Sequence, residues 1–120
     1  MAAKDDLGRA GEQRAAQHLA AAGYELLDRN WRCAQGELDI VAASRGDLVV
    51  VEVKTRRTEW FGHPFEAVSA RKRDRLWRLG CAWIVAHPGA AARRRLRLDV
   101  IGITGPDPAT AVLEHLEDLR

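Results

Sequence analysis

The apolar positions of this chain change period along its length, and those changes mark out its elements. In "DDLGRAGEQRAAQHLAAAG", residues 5–23, Ala15, Leu19 and Ala22 recur at i, i+4 and i+7. That is the spacing of one helical face, and Gly23 suits its C-terminal cap. "YELLDRNWR" (24–32) and "GELDIVAA" (36–43) read as strands, followed by the turn "SRGD" and a third strand, "LVVVEVKTR" (48–56). So short a turn makes the second and third strands an antiparallel hairpin, neighbours in one sheet. "RTEWFGHPFEAV" is punctuated by Gly62 and Pro64 and is expected to be irregular. Ser69 then caps a second helix over residues 70–87, closed by Pro88-Gly89. Its buried stripe is Leu76, Leu79 and Trp83, while Arg71, Arg75 and Arg78 share another side. "AARRRLRLDVIGIT" holds a further strand and "GPDP" a turn; "ATAVLEHLEDLR" ends the chain as strand or helix, strand being favoured.

The order α-β-β-β-α-β-β predicts an α/β or α+β domain in which helices cover a central mixed sheet. The chain has 120 residues, enough for one core, so residues 1–120 are expected to form a single domain. With 47% hydrophobic and 30% charged residues the composition is that of a folded protein, which excludes a disordered chain. No apolar run approaches the roughly 18 residues of a membrane span, and "MAAKDDLGRAGEQR" lacks a signal segment. A cytoplasmic protein with no membrane partner is expected. Cys33 and Cys81 match no zinc or redox spacing and read as two reduced thiols.

Chemistry enters where the third strand breaks its own pattern. Five of the six residues 48–53 are branched aliphatics, as in a strand buried on both faces, yet Glu52 and Lys54 are charged. Withdrawing a charge from water costs several kcal/mol even after relaxation. Alternation puts Glu52 and Lys54 on one face, with Cα atoms about 6.6 Å apart. That distance suits two groups converging on one bound object. Asp39 lies in the neighbouring strand, and the hairpin can bring it beside Glu52. Two carboxylates that repel each other need a cation between them, and a hard divalent ion such as Mg²⁺ fits oxygen ligands. Lys54 beside such an ion can stabilise the charge that forms when a phosphodiester is attacked. The alternative is an edge strand whose charges face water.

These residues also carry a resemblance. "GELDIV" followed by "VVVEVKTR" resembles the D…ExK signature of the restriction-endonuclease-like, or PD-(D/E)xK, nucleases. More closely, "GRAGEQRAAQHLAAAGYELLDRNWR", "GELDIVA", "LVVVEVKTR" and "RLDVI", in that order from Gly8 to about Val100, resemble the YraN family of small bacterial proteins. That family is similar in turn to archaeal Holliday-junction resolvases. The resemblance implies a restriction-endonuclease-like core. In it Asp39 and Glu52 match the metal-binding acids, Lys54 the catalytic lysine, and Glu12 the acid of the first helix; Val53 lends its backbone carbonyl to the metal. Leu38 stands where the "PD" proline would be, a minor departure.

Charge adds a partner. Residues 1–55 carry a net −2, residues 56–97 a net +8 and residues 98–120 a net −4. A basic middle third suggests a polyanion, with Arg56, Arg57, Arg71, Lys72, Arg75 and Arg78 as candidate nucleic-acid contacts. Lys72 begins the buried stripe of the second helix, so it either points over the sheet towards a phosphate or snorkels to solvent. Trp60, Phe61 and Phe65 stack on unpaired bases or else close the core or a dimer interface. His63 is either a proton donor to a leaving group or a lone loop histidine with no catalytic part, Glu37 a further ligand or a turn residue, and Arg93, Arg94 and Arg95 a phosphate-attracting or solvated loop. Trp31 and Trp77 read as packing.

The expected function is Mg²⁺- or Mn²⁺-dependent hydrolysis of phosphodiester bonds in DNA rather than RNA, branched or junction DNA included. Resolvase-like relatives act as dimers, so a homodimer is expected too. The alternative is a nucleic-acid-binding protein with a vestigial metal site and no cleavage.

Overall fold

Leu48 and Val50 of the third strand enter one hydrophobic cluster and Val49 and Val51 another, so the sheet is buried on both sides, each covered by a helix. The structure, a computed structural model, describes residues 2–60 and 62–119. Its elements are α1 (Ala2–Ala21), β1 (Glu25–Cys33), β2 (Gly36–Ser44), β3 (Asp47–Arg56), a one-turn 3-10 helix (Pro64–Ala67), α2 (Ala70–Ala86), β4 (Arg95–Thr104) and β5 (Val112–Leu116). The fold is α+β, a five-stranded mixed sheet in the order β1-β2-β3-β4-β5, compatible with a restriction-endonuclease-like core. β1–β2, β2–β3 and β4–β5 are antiparallel, while β3 and β4 are parallel. Parallel neighbours need a crossover, and the 3-10 helix and α2 supply it.

α1 lays Ala15, Ala16 and Leu19 against Ile40, Val49, Val51, Ile101 and Ile103. Its small side chains let the helix come close to the sheet. On the other side, Leu76, Leu79 and Trp83 of α2 pack on Val41, Val50, Leu98 and Val100, the stripe expected from the helical period. The Ser69 hydroxyl accepts the Lys72 N–H at 3.2 Å and caps α2. α1 starts at Ala2, earlier than the expected Asp5, and the last segment is a strand, as favoured. Trp31 packs against the α2-side cluster, but Trp77 is 45% exposed and corrects the packing reading: one residue beyond Leu76, it sits on the shoulder of the helix. Phe65 packs into the same cluster and is not free to stack on a base, and Phe61 lies outside the described residues. Both cysteines are free thiols. Among the described residues no helix is long and apolar enough to cross a membrane.

The contact between α1 and β3 depends on Gly11. A Cβ at that position would overlap the Thr55 hydroxyl, so only glycine lets the helix backbone lie this close to the strand. The next residue is Glu12, which lines a cavity with Val53 and Lys54. Gly11→Ala is therefore expected to destabilise the protein by about 1–3 kcal/mol, the usual cost of overpacking. Thr55→Ala in the same chain, which removes the two nearest atoms, should restore part of that loss. Urea unfolding of the two single variants and the double variant measures both effects.

Candidate metal and nucleic-acid site

The site is built around a place where strand pairing stops. β2 and β3 stay in register from Ser44↔Asp47 to Ile40↔Val51, and the ladder goes no further. The next residues in register are Asp39 and Glu52, the pair expected from the hairpin. There the Asp39 side chain replaces a backbone partner, its Oδ2 accepting the Val53 N–H at 2.9 Å. N–H and C=O of one strand residue point to the same neighbour, so the Val53 carbonyl also points past the end of the ladder. Glu52 is only 7% exposed, and its carboxylate lies within hydrogen-bonding reach of Asp39. Lys54 Nζ stands 3.5 Å from Glu52 Oε2, and Lys72 Nζ reaches the same oxygen from α2 at 3.6 Å. With Glu37 and Arg75 these groups line a cavity of about 330 Å³ between the sheet and α2.

Charge is crowded here. Burial, the hydrogen bond with Glu52 and repulsion from Glu52 push Asp39 up from its ordinary 3.8 to about 8, against the Val53 N–H, which favours the anion. Glu12 adds a smaller repulsion. Lys72 is pushed down, first by its side-chain contact with Lys54, then by burial and by the Lys54 charge, with Glu52 opposing. Two acids and two lysines thus share one small volume, half withdrawn from water.

The donors fit a hard divalent cation. All are oxygens: the Asp39 and Glu52 carboxylates and the Val53 carbonyl. A cation between the acids would take the place of the proton that their repulsion otherwise retains on Asp39. Glu12 stands further off. The trios whose ligand atoms all lie within 4.8 Å of one another, among the described residues, are Glu59–His63–Glu114 and Asp99–His115–Glu117. Glu12 is tied instead to Asn30, whose amide nitrogen, turned to satisfy both groups, donates to Glu12 Oε2 at 3.1 Å. Asn30 holds a φ of 52°, a conformation asparagine tolerates better than most residues.

The basic residues divide. Lys72 and Arg75 line the cavity beside the acids. Arg71 and Arg78 are exposed on α2. Arg56 and Arg57 lie at the end of β3 and line a second cavity with Glu12 and Lys54. Of the triple-arginine stretch, Arg95 pairs with Asp47 at 3.5 Å and Asp118 at 3.6 Å, and Arg94 donates to the Ala90 carbonyl at 2.9 Å, so these two are tied to the protein itself. Glu37 pairs with Arg32 at 3.0 Å on the rim.

His63 is not isolated. Its Nδ1 accepts the Phe65 N–H at 3.1 Å, which leaves the neutral ring's proton on Nε2, 2.6 Å from Glu114 Oε1. A metal at Nε2 would need the opposite tautomer and would break that cap, so this trio is a hydrogen-bonded cluster. Sequence reasoning gave no role to Asp99, fully buried in β4. It accepts from Arg97 at 3.0 and 2.9 Å, from His115 Nε2 at 2.7 Å and from the Asp118 N–H at 3.0 Å. Burial alone would raise its pKa; the His115, Arg97 and Asp118 hydrogen bonds outweigh that and hold it below the ordinary value. A carboxylate so fully occupied has no lone pair to offer a metal. The one signal for it was an acid inside the apolar run "LDVIGI", the same signal that exposed Glu52.

Stability should depend on pH with a definite sign. Asp39 titrates near 8 folded and near 3.8 unfolded, so between those values the folded state holds one more proton. Its contribution is fully present below about pH 4 and is lost as pH rises through 8. Without divalent metal the protein is expected to melt lower at pH 8.5 than at pH 6, and Asp39→Asn should remove much of that slope and melt higher than wild type at pH 8.5. Thermal melts in EDTA across pH 5.5–9 check this.

The chain is similar over nearly all its length to proteins of several bacteria. It is 48% identical to a UPF0102 protein of Frankia alni over 97% of this chain and 95% of that one. It is 50% identical to one of Paenarthrobacter aurescens (97% and 94%), and 49% identical to one of Clavibacter michiganensis (88% of each). The model of the uncharacterised protein family UPF0102 matches residues 11–103, a span that holds Glu12, Asp39, Glu52 and Lys54. The chain belongs to that family, UPF0102, the YraN family whose pattern its sequence carries.

Proposed function

We propose that this protein is a metal-dependent nuclease of the restriction-endonuclease-like kind, similar to the Holliday-junction resolvases, that hydrolyses phosphodiester bonds in DNA. The observation that carries the reading is the convergence of Asp39, Glu52, Lys54 and Lys72 on one small cavity. A merely solvated edge strand has no reason to crowd two acids and two lysines beside α2. Asp39, Glu52 and the Val53 carbonyl would hold Mg²⁺ or Mn²⁺. Such an ion supplies an activated water and draws charge from the phosphate. Lys54, anchored on Glu52, gives its ammonium to the charge that develops on the attacked phosphate. Lys72 and Arg75 position the phosphate from α2, and Arg56, Arg57, Arg71 and Arg78 attract the flanking backbone.

Cleavage of labelled linear, flapped and four-way DNA with Mg²⁺ or Mn²⁺ tests this directly. Asp39→Asn should abolish cleavage with the fold intact and with metal-free DNA binding kept or tightened. Lys54→Ala should slow cleavage by about 100- to 1,000-fold, the usual effect of losing one charge-stabilising donor, while the shift in melting temperature with Mn²⁺ persists. Wild-type protein that cleaves none of these substrates and gains no stability from Mn²⁺ would be a binding protein instead.

DNA affinity should fall steeply with salt, since each phosphate neutralised releases counterions. Reversing Arg71, Arg75 and Arg78 to Glu should reduce the slope of log affinity against log salt by about 1 for each arginine that contacts a phosphate. An unchanged slope would place α2 away from the ligand.

A further inference from the structure

Val53 and Lys54 line two cavities, one on each side of β3. The one holding the acids lies between the sheet and α2; the other, about 430 Å³, runs from Glu12 along Thr55, Arg56 and Arg57 to Thr58 on the α1 side. Both are the size of small-ligand pockets. Just past the end of the second cavity stands Trp60, 85% exposed. Its backbone N–H donates to Thr58 Oγ1 at 3.1 Å, and the Gly62 N–H donates to the Glu59 carbonyl at 2.8 Å. An exposed tryptophan keeps a large apolar face from burial, and two guanidiniums lie a few residues before it on the same path.

From this we infer that the substrate is locally unpaired: a single strand runs from the Asp39–Glu52 site through the Arg56–Arg57 cavity, and one of its bases stacks on Trp60. The inference rests on the nuclease reading for the position of the site and adds the class of nucleic acid. The chemistry is consistent along the path. Arg56 and Arg57 meet phosphates, whereas the exposed Glu59 beside the indole repels phosphate and leaves the uncharged base face as the partner for the ring. In a continuous duplex both faces of each base are already stacked, so an indole reaches a base face without an unstacking cost at an end, a gap, a branch or a single strand.

The test is binding rather than cleavage. Fluorescence anisotropy in EDTA compares a 12-nucleotide oligo-dT with a closed hairpin duplex of the same sequence length. Trp60→Ala is expected to weaken oligo-dT binding by about 5- to 100-fold, the range for one stacked base, and Trp60→Phe to recover most of it. Duplex affinity and melting temperature should stay at wild-type values. Wild-type protein that does not bind oligo-dT, an unchanged oligo-dT affinity in Trp60→Ala, or an equal loss on the duplex would overturn the inference. So would sedimentation showing that Trp60→Ala turns a dimer into a monomer, since the indole would then be a subunit contact. Because no metal is present, the result is independent of catalysis. Loss of oligo-dT binding in Trp60→Ala together with an inactive wild type would leave the stacking site standing and remove the nuclease, and the reverse pair of results would do the opposite.

Discussion

Everything distinctive about the site follows from the end of one hydrogen-bond ladder. Had β2 and β3 continued to pair beyond Ile40↔Val51, the Val53 N–H would have met a backbone carbonyl and Asp39 would have had no reason to turn inward. Because they part there, a side-chain carboxylate must satisfy the amide, and it does so within reach of a second, buried carboxylate. The strands on either side cannot relax the crowding. β3 is held by β4 along its whole length, and α1 and α2 close the two faces of the sheet. The repulsion is therefore resolved by a proton or a cation, not by movement.

The architecture was legible because hydrophobic spacing and burial coincide. Leu76, Leu79 and Trp83 lie where the helical period put them, and the break at Arg45-Gly46 set the register that aligns Asp39 with Glu52. Glu52 and Lys54 stood out by the same logic, charges in a strand with aliphatics on both faces. What lay hidden involved residues whose meaning depends on a distant partner. Asn30 is a polar residue in an edge strand until its amide is seen beside Glu12, and His63 is a loop histidine until β5 delivers Glu114. Trp77 misled because hydrophobicity reports that a side chain can be buried, not that a neighbour exists to bury it.

The chain handles its two buried acid sites in opposite ways. Asp99 is surrounded by donors, with Arg97, His115 and the Asp118 amide all on its two oxygens, and is held as an anion. Asp39 receives one backbone donor and faces another acid, and is driven towards the neutral form. The first arrangement is complete in itself and ties β4 to β5 and Tyr24 through Arg97. In the second, both lysines pair with Glu52 and leave Asp39 beside an acid, which separates an acid held by donors from one that is not.

The parallel pairing of β3 with β4 has a consequence for how the protein is made. The β2–β3 hairpin is local and can form within microseconds, whereas every β3–β4 pair joins residues 48 positions apart and waits for α2 and β4. While the chain is still being synthesised, Asp39 and Glu52 can therefore already be neighbours on a solvated hairpin, where water screens their charges. Only when α2 docks and the last strands add to the sheet does that water leave. The raised pKa of Asp39 is thus a late product of folding, and an unfinished chain holds the acids without the environment that makes them unusual.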